Sequence, residues 1–308
     1  MRASVIDLGT NTFNMIVAET LPQGGYHIIA ANRIMVKLGE GGIEKGYISY
    51  HAFNRGLDAM KEHAETIRNM GVDMVMAVAT SATRSAVNGP DFVHMIEETT
   101  GIRVEVISGN REAELIYRGI KLAIPGDHRL LCMDIGGGST EFIIGEGDRI
   151  LWQQSTELGV SRLMGMFRPG DPYSSGDQVT MNHHFVDTLR DLRSAIARFP
   201  CTTLVGSSGS FETFSDIISM QRNGTRVPQG CLRFDFTVDE FNNVHQWLMQ
   251  STRQQRIDHP AIAPVRVDMI GAGSLLTYNV IGQTGISHMA MSAYALREGL
   301  IAEVLNKV

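Results

Sequence analysis

The apolar positions of the first forty residues fall in short continuous or alternating runs, without helical spacing. Residues 4–6 form one run, the polar segment Asp7-Leu8-Gly9-Thr10-Asn11-Thr12 follows, and residues 13–18 are apolar again. A second turn, Pro22-Gln23-Gly24-Gly25, leads into an extended run over 26–37, so the opening predicts a three-stranded meander. The period then changes. Phe53, Leu57, Met60, Ala64, Ile67 and Met70 recur every three or four residues between Ser49 and Gly71, the spacing of an amphipathic helix with an N-cap and a glycine stop. A β/α alternation follows, with a strand over 74–79, a helix over 91–100, a strand over 104–107 and a helix over 111–123. It ends at the break Pro125-Gly126-Asp127.

After the break the opening pattern returns: an apolar run at 130–133, the turn Asp134-Ile135-Gly136-Gly137-Gly138-Ser139-Thr140, a return strand at 141–144, and a further strand from 150. Asp7-Leu8-Gly9-Thr10 aligns with Asp134-Ile135-Gly136-Gly137, one strand–Asp–apolar–Gly turn in each half. Such a repeat predicts two related α/β domains facing a shared cleft. The second half continues with a helix over 178–198, a strand over 203–205, the turn Gly206-Ser207-Ser208-Gly209-Ser210, a short helix to Met220, and a helix over 239–249 opened by a Thr237/Glu240 capping box.

Composition narrows the class. The 308 residues suit two domains. With 27 Lys and Arg against 33 Asp and Glu, the net charge of −6 excludes a generally basic nucleic-acid binder. No uncharged run approaches the ~20 residues of a membrane span. Cys132, Cys201 and Cys231 form no CxxC pair, which argues against a disulfide framework and structural zinc and for a reducing, cytoplasmic setting. Glycine, at 32 residues, exceeds its usual share of roughly 7% while proline does not, so the glycines serve ordered turns.

A Gly/Ser/Thr turn directly after a strand lets several backbone N–H groups converge without a side chain in the way, which makes an anion cradle. Two matching copies, at Gly9, Thr10 and Asn11 and at Gly136, Gly137, Gly138 and Ser139, imply a ligand with more than one phosphate. Ser208, Gly209 and Ser210, ahead of a helix, would add a third contact. One such turn alone would read equally well as an ordinary hairpin. Asp7, Asp134 and Glu141 flank the cradles, where an acid repels phosphate unless a cation lies between them, and hard oxygen ligands of this kind suit Mg²⁺ or another divalent ion. Each acid singly could simply cap its own turn.

These residues belong to segments similar to the exopolyphosphatase/guanosine pentaphosphate phosphohydrolase family of the actin, sugar kinase and heat-shock chaperone superfamily. The segments are VIDLGTNTF at 5–13, KLGEG at 37–41, AVATSATR at 77–84, ISGNREAELIYRG at 107–119, MDIGGGSTE at 133–141, VGSSGS at 205–210 and ALREGL at 295–300. The resemblance implies an α/β fold of two ribonuclease H-like (actin-like ATPase) domains around a central cleft. The domains would span 1–124 and 125–292, with a C-terminal helix over 293–308 returning to the first.

It further implies hydrolysis of a terminal phosphoanhydride, with Glu112 as general base, Asp134 and Glu141 at the metal, and Asn11, Arg84 and the 136–139 backbone on phosphate. Arg111 stands where the family often has an acid. Lys37 stands where it often has an arginine, which makes it a weaker phosphate contact. On its own, Glu112 reads more readily as a helix first-turn acid satisfying the dipole, and the alternative for Arg84 is an exposed loop arginine. His183 and His184 carry no chemistry, and the 17 methionines read as gap fillers.

The substrate expected is inorganic polyphosphate or guanosine pentaphosphate, with neither nucleic-acid polymer nor membrane as partner and a homodimer allowed. The alternatives are an ATP-using kinase or ATPase of the same superfamily, whose purine pocket would use Gly271-Ala272-Gly273-Ser274-Leu275, and a non-catalytic polyphosphate or nucleotide sensor.

Overall fold

A computed structural model describes residues 1–23 and 25–306. Gly24, in the turn expected at 22–25, and positions 307–308 of the helix expected at 293–308 lie outside the described residues. The chain divides into one unit of Met1–Gly119 with Leu296–Val308, and a second of Ile120–Ala295.

In the first unit β1 (Arg2–Leu8), β2 (Thr12–Thr20) and β3 (Tyr26–Met35) form the antiparallel meander. The helix α1 (Tyr50–Asn69) leads to β4 (Met74–Ala79), α2 (Ser81–Ser85), α3 (Gly89–Thr100), β5 (Val104–Val106) and α4 (Gly109–Ala123). The sheet order is β3-β2-β1-β4-β5, with β4 and β5 parallel to β1. Strand β1 is apolar at consecutive positions because both of its faces are covered. Ile6 and Leu8, with their partners Met15 and Phe13 on β2, pack among Ala52, Ala59 and Met60 of α1. Ala3 and Val5, alternating with them, point the other way and are equally buried.

The second unit repeats the design. It runs β6 (Arg129–Ile135), β7 (Thr140–Glu146), β8 (Arg149–Thr156), α5 (Val160–Phe167), α6 (Ser175–Thr188), α7 (Arg190–Arg198), β9 (Thr203–Ser207), α8 (Ser208–Asn223), β10 (Arg233–Thr237), α9 (Val238–Gln250), α10 (Arg253–Asp258), a 3-10 turn at Pro264–Arg266, α11 (Ile270–Gly282) and β11 (His288–Ser292). Its sheet order, β10-β11-β9-β6-β7-β8, contains the first unit's order with one strand added at the edge. Register shows the repeat residue by residue: Asp7 pairs with Asn14 as Asp134 pairs with Glu141, and each second strand bulges at the same place, Val17/Ala18 and Ile144/Gly145. The last helix, α12 (Leu296–Asn306), returns to the first unit and packs on β1 and β2.

Three local expectations are corrected. The helix expected over 178–198 is broken at Leu189 into α6 and α7. The 206–210 turn is shared between β9 and α8, so Ser208, Gly209 and Ser210 are the helix's first turn. Arg84 sits on the short helix α2, not on a loop.

Candidate active site

In the first unit the 9–11 turn is held by its carbonyls. The Gly9 N–H donates to Thr12 O at 3.1 Å, closing the turn, and a Cβ on Gly9 would sit 2.9 Å from that oxygen. Thr10 O accepts from Gly39 N–H, and Asn11 O accepts from the N–H groups of Val36 and Lys37, at 2.8 to 3.2 Å. Lys37 is exposed and takes a left-handed φ of 49° to make this bond, so its backbone shapes the turn whatever its side chain meets. Asp7, beneath the turn, accepts from Asn14 Nδ2 at 3.2 Å, and Asn14 Oδ1 accepts from Arg33 Nε at 3.1 Å.

Arg84 and Glu112 come together in the same unit. Arg84 Nη1 donates to Glu112 Oε2 at 2.9 Å and to Ile107 O at 3.0 Å, so α2 is tied to the start of α4. One nitrogen makes both bonds; among the described residues Nε and Nη2 have no acceptor, and the side chain keeps 26% exposure. The fork can therefore take an anion's oxygens while it still touches Glu112. Glu112 is nearly buried in the first turn of α4, which Ser108 caps by accepting from Arg111 N–H at 3.2 Å. Arg111 turns elsewhere, to Glu114 and Glu303.

The 136–139 turn of the second unit is built like its counterpart. The Gly136 N–H donates to Ser139 O at 3.0 Å. The first turn of α5 then takes up the loop's carbonyls: Val160 N–H donates to Gly136 O, the N–H groups of Ser161 and Arg162 donate to Gly137 O, and Arg162 Nε donates to Gly138 O. Gly159 allows this, because a Cβ there would come within 2.4 Å of Gly137 O. With the carbonyls engaged, the N–H groups of Gly137, Gly138 and Ser139 have no acceptor among the described residues. That is the donor-rich face an anion needs.

Behind this turn lie Asp134 and Glu141, cross-strand neighbours and both buried. Asp134 accepts from Ser207 Oγ at 2.6 Å and from Ser208 Oγ at 2.8 Å; Glu141 accepts from Ser155 Oγ at 2.6 Å. Burial pushes the Asp134 carboxyl up, opposed by the two serine hydroxyls; Glu212 adds to the rise and Arg266 acts against it. A buried carboxylate with further acids in range is relieved by a cation, and the donor set is hard oxygen, which fits Mg²⁺. No three His, Cys, Asp or Glu side chains gather into a cage among the described residues, so such an ion would complete its shell with phosphate and water.

Ser208 takes a left-handed φ of 66°, a strained value for a residue with a Cβ, and its hydroxyl goes to Asp134. Ser207, at the N-cap of α8, likewise spends its hydroxyl on Asp134 and leaves the helix N-terminus without a side-chain cap. Sequence reasoning missed the cation here. Arg266 lies against Gly209 so closely that a Cβ would fall 1.7 Å from its guanidinium carbon, which puts a positive group over the first turn of α8 and within electrostatic range of Asp134. Ser155, Ser207 and Glu212 were also missed. Only Ser155 and Ser207 had a signal, being hydroxyl residues in strand register with Glu141 and Asp134.

This pairing of a glycine turn with strand-end carboxylates, once per half of the chain, has clear relatives. The sequence matches the Ppx/GppA phosphatase family over residues 16–308. The chain belongs to that family. A candidate exopolyphosphatase of Haemophilus influenzae is 29% identical over 97% of this chain and 90% of its own length. A guanosine-5'-triphosphate,3'-diphosphate pyrophosphatase of Photobacterium profundum is 27% identical over 99% of this chain, which spans only 59% of that protein. Among solved structures, an exopolyphosphatase from Cytophaga hutchinsonii superimposes with a TM-score of 0.96 at 36% identity, covering 100% of this chain and 99% of that one.

A Ppx/GppA family member from Aquifex aeolicus, at 24% identity and TM-score 0.83 over 100% of this chain and 98% of its own, shares the fold. This family member is thus a phosphohydrolase with the actin-like pair of α/β domains, and none of its described helices is long and apolar enough to cross a membrane. The segment considered for a purine pocket, 271–275, is fully buried inside α11. Its glycines make room for the Tyr173 ring and for Ser210 Oγ, so packing accounts for them.

Proposed function

We propose that this phosphohydrolase releases terminal orthophosphate from inorganic polyphosphate or guanosine pentaphosphate, assisted by Mg²⁺ or a similar divalent ion. The observation that carries the reading is the 136–139 turn, whose free N–H groups stand beside the buried pair Asp134 and Glu141. Donors for phosphate and hard ligands for a cation occur there together, as polyphosphorylated substrates require.

In this reading Asp134 and Glu141 hold the ion, with Ser207, Ser208 and Ser155 fixing the orientation of their oxygens. The ion, when bound, would draw charge from the phosphate oxygens. The backbone N–H groups of Gly137, Gly138 and Ser139 and the turn at Thr10 and Asn11 grip phosphates, while the N–H groups of Gly9 and Gly136 close those turns. The first turn of α8, with Gly209, Ser210 and Arg266, adds a further grip. Asp7 supports its own turn through Asn14.

Glu112 takes a proton from water as the water oxygen bonds to the terminal phosphorus and the bridging P–O bond breaks, the electron pair leaving with the shortened chain. Arg84 binds the terminal phosphate through Nε and Nη2 and keeps Glu112 aimed at it through Nη1. The reading keeps a domain division near 1–124 and 125–292 and a final helix that completes the first. The three free cysteines support a cytoplasmic setting. Net negative charge speaks against a nucleic-acid partner.

The test is phosphate release from long polyphosphate, short polyphosphate, guanosine pentaphosphate and ATP, each with Mg²⁺ and with excess chelator. Release from the first three that stops in chelator supports the reading. Turnover of ATP alone would overturn it in favour of a kinase or ATPase, and tight polyphosphate binding with no release would leave a sensor.

A further inference from the structure

The geometry points to Glu303 of the last helix as a positioning residue for Glu112, acting through Arg111; this rests on the function proposed above. Arg111 Nη2 and Arg118 Nη1 both donate to the Glu303 carboxylate, at 2.5 Å each. Residues 111 and 118 are seven apart, two helical turns, so they present one stripe of α4 to α12. Glu112, one residue on, is rotated by about 100° from that stripe and meets Arg84. The first turn of α4 is therefore held from two directions, by Arg84 on the side of Glu112 and by Glu303 on the side of Arg111.

The brace is stiff because the two helices touch along their backbones. A Cβ on Gly299 would lie 1.9 Å from Leu115 O, and α12 is itself seated on β1 and β2. Glu303 keeps 11% exposure and Arg111 31%, so the pair is only partly screened. Without Glu303, the first turn of α4 would keep the Ser108 cap, the Glu114 contact and the Arg84 tie to α2 but lose its tie to α12, and a helix end frays most easily.

The experiment compares wild type, Glu303→Gln, Arg111→Gln and the double variant by steady-state phosphate release, thermal unfolding and amide exchange of the full chain. Glu303→Gln should lower kcat by roughly tenfold, inside the ~10²-fold that a 1 Å displacement can cost. KM should stay within about twofold and the thermal midpoint within roughly 4 °C. Exchange at residues 110–115 should quicken. The double variant should lose no more than Glu303→Gln alone, because both act through one contact.

An active wild type with unchanged kcat in Glu303→Gln overturns the positioning role and leaves the proposed function standing. So does a lowered midpoint with kcat intact at temperatures where the chain is folded. A wild type that releases no phosphate from any substrate overturns the function and the inference together.

Discussion

Acid should destabilise the second unit through His245. This residue of α9 is 5% exposed, with Nδ1 2.9 Å from Ser274 Oγ and its ring stacked on Tyr278 at 4.2 Å and 10°. Burial pulls its pKa from 6.5 down to about 4. The folded chain thus holds the ring neutral while the unfolded chain takes up a proton below pH 6.5. The stabilisation is whole above 6.5 and is lost as pH falls, the loss being complete near pH 4. The gap between 6.5 and about 4 corresponds to about 3 kcal/mol, of which about 2.5 should be gone by pH 4.5. The chain has two tryptophans, Trp152 and Trp247, both in the second unit, so their fluorescence follows that unit alone. Urea unfolding read by tryptophan at pH 7, 6, 5 and 4.5 should fall more steeply for wild type than for His245→Phe, by about 2.5 kcal/mol over the range. Buried carboxylates and His259 are common to both proteins and cancel. Equal slopes within about 0.5 kcal/mol would refute the reasoning.

Glu112→Gln should lower turnover by roughly 10²–10⁴-fold with substrate binding nearly intact, measured by steady-state rates beside direct binding; unchanged turnover removes Glu112 from the chemistry. Asp134→Ala and Glu141→Ala should each abolish activity and weaken calorimetric Mg²⁺ binding in the presence of phosphate while the fold survives. Full activity of the double variant would sink the metal assignment. Gly209→Ala should displace the Arg266 guanidinium and lower activity with stability changed by less than about 1 kcal/mol, since that side chain can swing away and Ala favours a helix. Gly206→Ala, whose Cβ would lie 1.9 Å from the buried Phe211 ring, should cost about 1–3 kcal/mol or more by thermal unfolding; the reverse ranking would refute the packing argument.

The parts of the fold that could be read from sequence are those set by near neighbours. The two Asp–apolar–Gly turns stand between strands that pair with each other, so period and turn chemistry were enough to find them and to see that they repeat. The Thr237/Glu240 capping box is likewise local and is formed. What distant contacts decide was not legible. The break at Leu189 carries neither Gly nor Pro. The sequence 206–210 looks like a loop because Gly and Ser favour loops, yet Ser208 begins a helix in a strained conformation, with its hydroxyl bonded to Asp134, 74 positions away. Arg266 has no local mark at all: it is a lone cation on a short 3-10 turn, brought to α8 by packing against a glycine. Arg111 looked like a departure beside Glu112, and only the return of the last helix supplies its partner.

The duplicated hairpins differ in how the acids at their strand ends are compensated. Position for position, Asp7, Asn14 and Arg33 in the first unit correspond to Asp134, Glu141 and Ser155 in the second. In the first unit the cross-strand partner of the aspartate is an amide, itself held by a guanidinium, so the one carboxylate there is met by donors. In the second, the partner is another buried carboxylate, and the neighbours are hydroxyls, which orient oxygens without supplying charge. Two adjacent buried acids whose side-chain donors include hydroxyls, with Arg266 acting electrostatically on Asp134, suit a divalent ion better than an acid beside an amide and an arginine does. On the proposed metal assignment, Asp7→Asn should weaken steady-state phosphate release far less than Asp134→Asn.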